Sequence, residues 1–331
     1  MKLKPLEDQT IVITGGSSGI GLATAKMAAR RGANVVIIAR NEEGLEDAAQ
    51  QIRAEGGRCD TISADVAKRE EVKNAVQTVI ERHGGFDTWV SNAGVGVYAK
   101  LEELSDEDHH QLFDINYWGV VHCATEALPH LRERGGALIT TGSISSQLPA
   151  PVLSAYTASK FAVKGYIDSL RLELIHDKAP VSVTLIQPSG ISTPFGEHAL
   201  NQMDERSQVP PPVYSPDIVA KTICRAAEYP MRDVMVGGGG RAMTLFATLL
   251  PNLADQVFAY SFFKTALNEN EPKRPEDGKG FYTGGGEGEV YGDQSMRHTS
   301  VYTTLRSHPI ASAVGIAAVA AGTVGMALRQ R

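Results

Sequence analysis

Short apolar runs alternate with longer amphipathic stretches from the start of the chain to about residue 267. The longer stretches have apolar residues at helical spacing, which predicts helices, the longest of them over 106–134 and 156–176. The short runs predict strands, and they read TIVITGG, NVVIIAR, RCDTISADV, FDTWVSNAG, GALITTGSIS, VSVTLIQPSG and RDVMVGG. Apolar strands that alternate with helices are typical of a parallel sheet covered on both faces. We therefore predict an α/β, Rossmann-type doubly wound sheet of about seven parallel strands.

The pattern changes after about Asn268. The next stretch, NENEPKRPEDGKGFYTGGGEGEVYGDQSMRH, is rich in glycine, proline and charge and has no periodicity, which predicts a linker or a poorly ordered arm. It is followed by the uncharged run ASAVGIAAVAAGTVGMAL, Ala311 to Leu328, which is closed by RQR. We expect one catalytic domain over 1–268, a linker over 269–308 and a hydrophobic C-terminal segment over 309–331.

Three interpretations of the C-terminal segment stay open: a membrane anchor, a helix packed on another subunit, and a loosely ordered tail. As a helix, the run from Ala311 to Leu328 would be about 27 Å long, just short of a hydrocarbon core of about 30 Å. Its many alanines and glycines make insertion marginal and also suit close helix packing. We favour membrane association of a protein that faces the cytoplasm.

Composition and charge exclude few classes of protein. The net charge is −6, so no basic excess points to nucleic acid. The three cysteines are far apart and lack metal-ligand spacing, so we expect no metal site and a reducing compartment. The N-terminus, MKLKPLEDQTIVITGG, lacks the apolar run of a signal peptide. These features favour a cytoplasmic protein.

A glycine-rich turn, TGGSSGIG over 14–21, joins the first strand to the first helix. Glycines at such a turn allow the backbone to approach a pyrophosphate, and the helix N-terminus offers N–H groups to it. The spacing departs from the G-x-G-x-x-G motif, because three residues rather than one separate Gly15 from Gly19. A merely structural turn is the alternative, but the strand before it and the helix after it favour a dinucleotide site.

The end of the second strand bears on the choice of cofactor. An acidic residue near this point receives the ribose 2′-hydroxyl in NAD sites, but this chain has Ala39 and Arg40. Arg40 could pair with a 2′-phosphate, which favours NADP(H) over NAD(H). The alternative is an ordinary surface arginine, and the neighbouring acids Glu42 and Glu43 weaken the inference.

Candidate reacting groups lie near the predicted strand ends. Tyr156 and Lys160, in YTASK, are one helical turn apart and share a face. A nearby ammonium favours the phenolate and so lowers the tyrosine pKa from its usual value of about 10. Ser143 ends the fifth strand and Asn116 lies in the long helix before it. The third strand ends at Asp65 and the fourth at NAG, 92–94.

In this order and spacing, these motifs resemble the short-chain dehydrogenase/reductase family over about residues 7–240. The resemblance implies that Tyr156 is the general acid/base and that Ser143 polarises the substrate carbonyl. It also implies that Lys160 holds the nicotinamide ribose and that Asn116 holds a water linking Lys160 to solvent. PSG, 188–190, has one residue more than the family's Pro-Gly pair, but Thr193 follows at a distance suited to the nicotinamide end. The implied cofactor-binding residues are Thr14, Gly15, Ser17, Ser18, Gly19, Ile20, Gly21, Arg40, Asp65, Val66, Asn92, Ala93, Gly94, Tyr156, Lys160, Pro188, Gly190, Ile191 and Thr193.

The favoured function is hydride transfer between NADP(H) and a carbonyl or secondary alcohol. A nucleotide-binding regulatory or scaffold protein on the same fold is the alternative. The loop 192–216 is predicted to form a lid over the nicotinamide and carries apolar residues but no basic cluster, which suggests an apolar small-molecule substrate. Its candidate contact residues are Phe195, Leu200, Met203 and Val213. The two long helices resemble the family's dimer interface, so we expect a homodimer or homotetramer.

Overall fold

Seven parallel strands form the central sheet in the computed structural model, which describes residues 1–274, 277–285 and 288–307. They lie in the order β3-β2-β1-β4-β5-β6-β7, with parallel pairing throughout. The predicted doubly wound sheet is confirmed, and its strand order changes direction between β1 and β4, where such sheets bind ligands. The strands are β1 Thr10–Thr14, β2 Asn34–Ala39, β3 Arg58–Ser63, β4 Thr88–Ser91, β5 Gly136–Thr141, β6 Val181–Pro188 and β7 Asp233–Val236.

Helices cover both faces of the sheet. They are α1 Gly19–Arg30, α2 Glu42–Ala54, α3 Arg69–His83, α4 Asp106–Phe113, α5 Gly119–Arg134, α6 Ser154–His176, α7 Phe195–His198, α8 Pro216–Glu228, α9 Gly238–Leu249, α10 Pro251–Ala266, α11 Lys279–Thr283 and α12 Val301–Ser307. The predicted long helix over 106–134 is present, but a π-helical turn, Asp114–Trp118, separates α4 from α5. The Gly119 N–H donates to the Asp114 carbonyl, which marks this wider turn.

Two apolar cores lie on opposite sides of the sheet because successive strand residues point to opposite faces. On β2, Val36 and Ile38 pack into the core that α3, α5 and α6 cover. Val35 and Ile37 pack into the core that α1, α2 and α8 cover. Burial on both faces explains why the strands read as continuous apolar runs rather than as alternating patterns.

Pairs of short strands connect the sheet to the segments that follow it. Val97–Tyr98 pairs with Leu200–Asn201, and Gly190–Ile191 with Val213–Tyr214, both in parallel. A third pair is antiparallel and joins Glu205–Ser207 to Leu267–Pro272. The chain therefore returns to the predicted lid region, 192–216, at the point where the predicted linker begins.

The described part of 269–308 packs on the domain rather than forming a free arm. Phe281 is fully buried in a core cluster, and Arg297 exchanges backbone hydrogen bonds with Val213 and Ser215. The expectation of an unpacked linker is wrong for these residues. The reason is that the segment is held by backbone hydrogen bonds and by isolated side chains such as Phe281, and neither leaves a periodic pattern along the sequence. The domain boundaries themselves stay a prediction.

The hydrophobic run from Ala311 to Leu328 lies outside the described residues. Among residues 1–274, 277–285 and 288–307, the structure contains no helix with the length and apolar character needed to cross a membrane.

Candidate active site

A cavity of about 290 Å³ lies along the carboxyl edge of the sheet. It brings together nearly all of the predicted site residues, which come from seven separate segments of the chain. Those that line it are Gly15, Ser17, Ser18, Gly19, Ile20, Arg40, Asp65, Val66, Asn92, Ala93, Gly94, Ser143, Tyr156, Lys160, Pro188, Gly190, Ile191 and Thr193. Three predicted residues, Thr14, Gly21 and Asn116, do not line the cavity.

The glycine turn after β1 requires its glycines. Gly15 and Gly19 have φ angles of +63° and +52°, which glycine adopts at little cost. A Cβ on Gly15 would lie 2.8 Å from the Ala93 Cα, and a Cβ on Gly21 would lie 1.9 Å from the Gly15 carbonyl oxygen. This close backbone packing is the kind of turn, here called the glycine cradle, that a dinucleotide pyrophosphate can approach. Gly21 does not line the cavity, but its lack of a side chain leaves room for the Gly15 carbonyl.

Thr14 and Asn92 act as braces for this turn. The Thr14 hydroxyl accepts hydrogen bonds from the backbone N–H groups of Asn92 and Ala93, at 3.0 and 3.1 Å. The Asn92 side chain donates to the carbonyls of Thr14 and Gly15, at 3.1 and 3.2 Å. Hydrogen bonds therefore connect the motifs TGxxxGIG and NAG. Thr14 does not line the cavity, but it fixes the position of the loop that does.

Tyr156, Lys160 and Ser143 meet at one end of the cavity. α6 begins at Ser154, so Tyr156 and Lys160 project from its first two turns. The Lys160 ammonium lies 3.4 Å from the Thr141 carbonyl oxygen and 5.6 Å from the centre of the Tyr156 ring. Ser143 lies close enough to Tyr156 to act on its pKa. The three side chains predicted from separate segments are thus in mutual reach.

Burial dominates the titration of both groups on α6. It raises the pKa of Tyr156, and the nearby Ser143 side chain has a smaller effect that lowers it. It lowers the pKa of Lys160 to about 8, because the ammonium is removed from water. The predicted lowering of the Tyr156 pKa by Lys160 is therefore not found in this structure.

Asn116 joins the π-helical turn to the loop after β4. Its side-chain oxygen accepts from the Val95 N–H at 2.8 Å, and its amide donates to the Val95 carbonyl and to the Ser159 hydroxyl, at 3.0 and 3.1 Å. Ser159 in turn donates to the Tyr156 carbonyl at 2.7 Å. Asn116 therefore braces the start of α6. Its side chain is engaged with protein atoms, so the predicted water contact would have to come from its main chain.

Arg40 lines the other end of the cavity and is partly buried. Its Nη2 donates to the Gly280 carbonyl at 2.9 Å and to the Phe281 carbonyl at 3.3 Å, and its Nη1 donates to the Tyr282 carbonyl at 3.0 Å. Burial lowers the pKa of Arg40, while the nearby Asp65 acts in the opposite direction. Arg40 is thus not an ordinary surface arginine. Its role toward a 2′-phosphate stays a prediction.

Sequence reasoning missed most of the apolar residues that line the cavity. Phe195 was expected there, and its ring lies 5.5 Å from the Tyr156 ring in an edge-on arrangement. Leu200, Met203 and Val213 of the predicted lid do not line the cavity. The missed residues are Tyr98, Ile144, Leu148, Ala150, Leu153, Val209, Met243 and Phe262. No pattern along the chain distinguishes these residues from other core positions.

Within the described ranges, no group of three His, Cys, Asp or Glu side chains could hold a metal ion. The polar groups that the described residues bring to the cavity are hydroxyls, amides, backbone groups and the cations Arg40 and Lys160, with the single carboxylate Asp65 and the imidazole of His198. This set can bind phosphates and a ribose at one end and move a proton at the other.

A doubly wound sheet with a glycine cradle and a Ser-Tyr-Lys group at its carboxyl edge defines a nicotinamide-dependent oxidoreductase. The sequence model of the family described as short chain dehydrogenase matches residues 9–204. The chain belongs to the short-chain dehydrogenase/reductase family. It is an enzyme of that family, an oxidoreductase that uses a nicotinamide cofactor and acts on alcohol or carbonyl groups.

Curated relatives extend beyond this matched region. An uncharacterised oxidoreductase of Bacillus subtilis, YxnA, is 40% identical over 336 residues, which cover 100% of this chain and 93% of the relative. A protein of Pinus massoniana named 11-beta-hydroxysteroid dehydrogenase is 33% identical, over 78% of this chain and 75% of the relative. The similarity to YxnA thus includes the C-terminal third of the chain.

Solved structures support the same fold. An alcohol dehydrogenase from Thermococcus sibiricus, in complex with 5-hydroxy-NADP, is 29% identical with a TM-score of 0.61, covering 69% of this chain and 95% of that one. A short-chain dehydrogenase/reductase from Burkholderia phymatum, in complex with NAD, has a TM-score of 0.68 over 76% of this chain and 96% of that one. At 22% identity, the second likeness bears on the fold alone.

Proposed function

We propose that this enzyme transfers a hydride between NADP(H) and the carbonyl or secondary alcohol of an apolar substrate, with Tyr156 as general acid/base. The observation that carries the proposal is the meeting of Ser143, Tyr156 and Lys160 at one end of a cavity whose other end is the glycine cradle. When bound, the nicotinamide supplies or accepts the hydride. A carbonyl oxygen near Ser143 and Tyr156 would gain a proton from the Tyr156 hydroxyl as the alcohol forms.

The supporting side chains divide the work. Ser143 would hydrogen-bond and polarise the substrate carbonyl while it holds Tyr156. Lys160 would hold the nicotinamide ribose and, as an ammonium, favour the phenolate of Tyr156 during proton exchange. Asn116 would keep the start of α6 in register with the loop after β4, so that Tyr156 and Lys160 face the cavity.

The preference for NADP(H) rests on the end of β2. Arg40 lines the cavity there, and the preceding residue is Ala39 rather than an acid. The Thermococcus enzyme bound to 5-hydroxy-NADP supports the same choice by similarity. Measured dissociation constants for NADPH and NADH would test it, and equal constants would contradict it.

An apolar substrate is supported by the side chains around Tyr156. Tyr98 and Leu153 belong to the cluster on which Tyr156 packs, and Phe195 contacts the Tyr156 ring. Met243 and Phe262 add apolar surface to the same cavity. The relative named 11-beta-hydroxysteroid dehydrogenase makes a polycyclic alcohol a reasonable member of the class.

The deciding experiment is NADPH oxidation with a panel of straight-chain, aromatic and polycyclic ketones and aldehydes. Turnover should be fastest with the more apolar members. Tight NADPH binding without turnover across the panel would instead favour a nucleotide-binding regulatory or scaffold protein.

Self-association is proposed through α5 and α6. Phe161, Leu172 and Ile175 are exposed on α6 and follow its helical repeat, so they form one stripe. Trp118, at the start of α5, is 47% exposed. An apolar stripe of this kind is typical of a subunit contact.

Light scattering should give the mass of a dimer or tetramer for the wild-type protein. Leu172→Glu combined with Ile175→Glu should shift the mass toward that of a monomer. A monomeric wild-type protein would contradict the proposal.

Membrane association is also proposed, from a second apolar surface. The helices α9 and α10 expose large side chains beside the mouth of the substrate end, where Met243 and Phe262 lie. These exposed residues are Leu245, Leu249, Leu250, Leu253, Val257, Tyr260 and Phe263. Together with the uncharged run from Ala311 to Leu328, they would suit a lipid surface that delivers an apolar substrate.

Liposome flotation tests this proposal. The full-length protein should float at high salt, and full-length Val319→Lys/Val324→Lys should float less. A wild-type protein that stays at the bottom of the gradient would exclude a membrane role and favour a packed or loosely ordered tail.

A further inference from the structure

A C-terminal segment crosses the cavity on its outer side. This segment, here called the strap, comprises the described residues 277–285 and 288–297, which lie beyond the matched family region of 9–204. It contacts Arg40 after β2, Gly19 in the glycine turn, and Thr193, which lies beside Gly19. These three residues were predicted to bind the cofactor, so the strap follows the part of the predicted cofactor site from Arg40 to the glycine turn and Thr193.

The middle of the strap is held by backbone contacts to the glycine turn and to the loop after β6. The Gly19 N–H donates to the Glu289 carbonyl at 2.8 Å. The Gln51 side chain donates to the Gly288 carbonyl, and the Ser192 hydroxyl donates to the Gln294 carbonyl, both at 3.0 Å. The strap thus bonds to three different elements that flank the cavity.

The strap presents main chain rather than side chains to the cavity. Gly280, Gly284 and Gly285 line the same cavity as the predicted cofactor residues. Gly284 has a φ of +85°, and a Cβ there would lie 3.1 Å from the Arg40 Cβ. Glycine allows the backbone to come close to a ligand. The three glycines therefore let the strap form one wall of the cavity without filling the cavity with side chains.

Side chains anchor the strap away from the cavity. The Phe281 ring is fully buried, and the Tyr282 hydroxyl donates to the Asp108 carboxylate. Further along, the Tyr291 hydroxyl donates to Asp217 at 3.0 Å. The Asp293 carboxylate pairs with the guanidinium groups of Arg206 and Arg274. These anchors hold the strap to the protein on both sides of the cavity.

We propose that the strap is the outer wall of the nicotinamide cofactor site and retains the bound dinucleotide. The inference rests on the proposed cofactor site and extends it to residues outside the family region. Because the strap contacts the site at Arg40, Gly19 and Thr193, we expect an extended dinucleotide to leave only when some of these contacts break. The strap must therefore open during cofactor exchange, and loosening it should speed release.

Stopped-flow displacement of bound NADPH and NADH tests the proposal by release rate rather than by turnover. In Gly292→Ala, the new Cβ would lie 2.7 Å from the Thr193 carbonyl oxygen, so the strap must lift there. We expect the release rate of both cofactors to rise at least tenfold, with a smaller change in the association rate. Gly165→Ala is the matched control, since a Cβ at Gly165 meets nothing within 4 Å.

A second variant removes two anchors without touching the cavity. Tyr282→Phe/Asp293→Asn should also speed release, by several-fold, and it remains informative if Gly292→Ala does not fold. Faster release in Gly292→Ala alone would mean that only Thr193 was disturbed, which would overturn the proposal. Tighter cofactor binding in either variant would show that the strap blocks the site, and unchanged release in both would show that it has no part in binding.

Amide hydrogen exchange gives an independent readout. Saturating NADPH should slow exchange in strap peptides of the wild-type protein by at least about tenfold, and less so in the loosened variants. Neither measurement depends on turnover or on the choice between NADP and NAD. A failed search for a carbonyl substrate, or equal affinity for the two cofactors, would therefore count against the proposed function and leave the strap proposal standing on its own data.

Discussion

The two ends of the cavity are built in different ways. The cofactor end consists of turns that follow β1, β2, β3 and β4, and much of its surface is backbone, as at Gly15, Gly19 and Gly94. The substrate end consists of apolar side chains from distant segments, among them Tyr98 and Phe262. Backbone shape is fixed by strand register and by glycine, whereas side-chain volume is set residue by residue. A change at the first end should therefore alter affinity for any cofactor, and a change at the second end should alter the choice of substrate.

The largest effect is expected at Tyr156, the proposed proton donor. Tyr156→Phe removes the proton donor but keeps the ring against Phe195. Turnover should fall by at least about a hundredfold, the usual scale for loss of a general acid, while the NADPH dissociation constant stays within about twofold. Tyr166→Phe, on the same helix but outside the cavity, is the control and should retain turnover. Near-normal turnover of Tyr156→Phe would show that another group donates the proton.

The next largest effect belongs to the cofactor end. Arg40→Asp should weaken NADPH binding about thirtyfold more than NADH binding, because it removes a charge-assisted contact and adds repulsion to a 2′-phosphate. The variant also loses the hydrogen bonds from Arg40 to the carbonyls of Gly280, Phe281 and Tyr282. NADH has no 2′-phosphate, so the change in NADH affinity measures the effect of that loss alone. Arg58→Asp is the control, since Arg58 also donates to a backbone carbonyl but lies outside the cavity. Equal losses for both cofactors would mean that Arg40 serves only the strap.

A smaller effect should follow from pH. The Lys160 pKa of about 8 means that the ammonium is present below this pH and the neutral amine above it. If the ammonium is the active form, kcat/KM, which reports the free enzyme, should fall about fivefold between pH 8 and pH 9. Lys160→Arg keeps its charge in this range, so its profile should lose the alkaline fall even at a lower overall rate. The same fall in Lys160→Arg would assign it to a different group.

The smallest effect is expected at the substrate end. Phe262→Leu reduces ring surface beside the cavity, so kcat/KM for an apolar ketone should drop about threefold with NADPH affinity unchanged. Phe246→Leu is the matched control, because Phe246 also packs on Phe258 but does not line the cavity. A change in the NADPH affinity of Phe262→Leu would show that the two ends are coupled, so that side chains at the substrate end also set cofactor affinity.

Much of the cofactor end could be predicted because its requirements are local. A strand, a turn with positive φ and a helix N-terminus must follow one another in the chain, so TGGSSGIG carries its own signature. The position of Arg40 after β2 follows from the same strand register. The hydrogen bonds between Thr14 and Asn92 could not be predicted, because these partners meet only when β1 and β4 lie side by side. The prediction that both residues bind the cofactor stays a prediction.

The sequence by itself determined the order of strands and helices, the parallel sheet, and the meeting of Ser143, Tyr156 and Lys160 at its edge. Strand burial and helical spacing are read over a few residues, and parallel strands bring their carboxyl ends together. Only the tertiary structure decided that burial raises the pKa of Tyr156, that Met243 and Phe262 reach the cavity, and that the glycine-rich segment beyond Asn268 folds back as the strap. Each of these depends on contacts between segments far apart in the chain, and such contacts leave no periodic pattern along it.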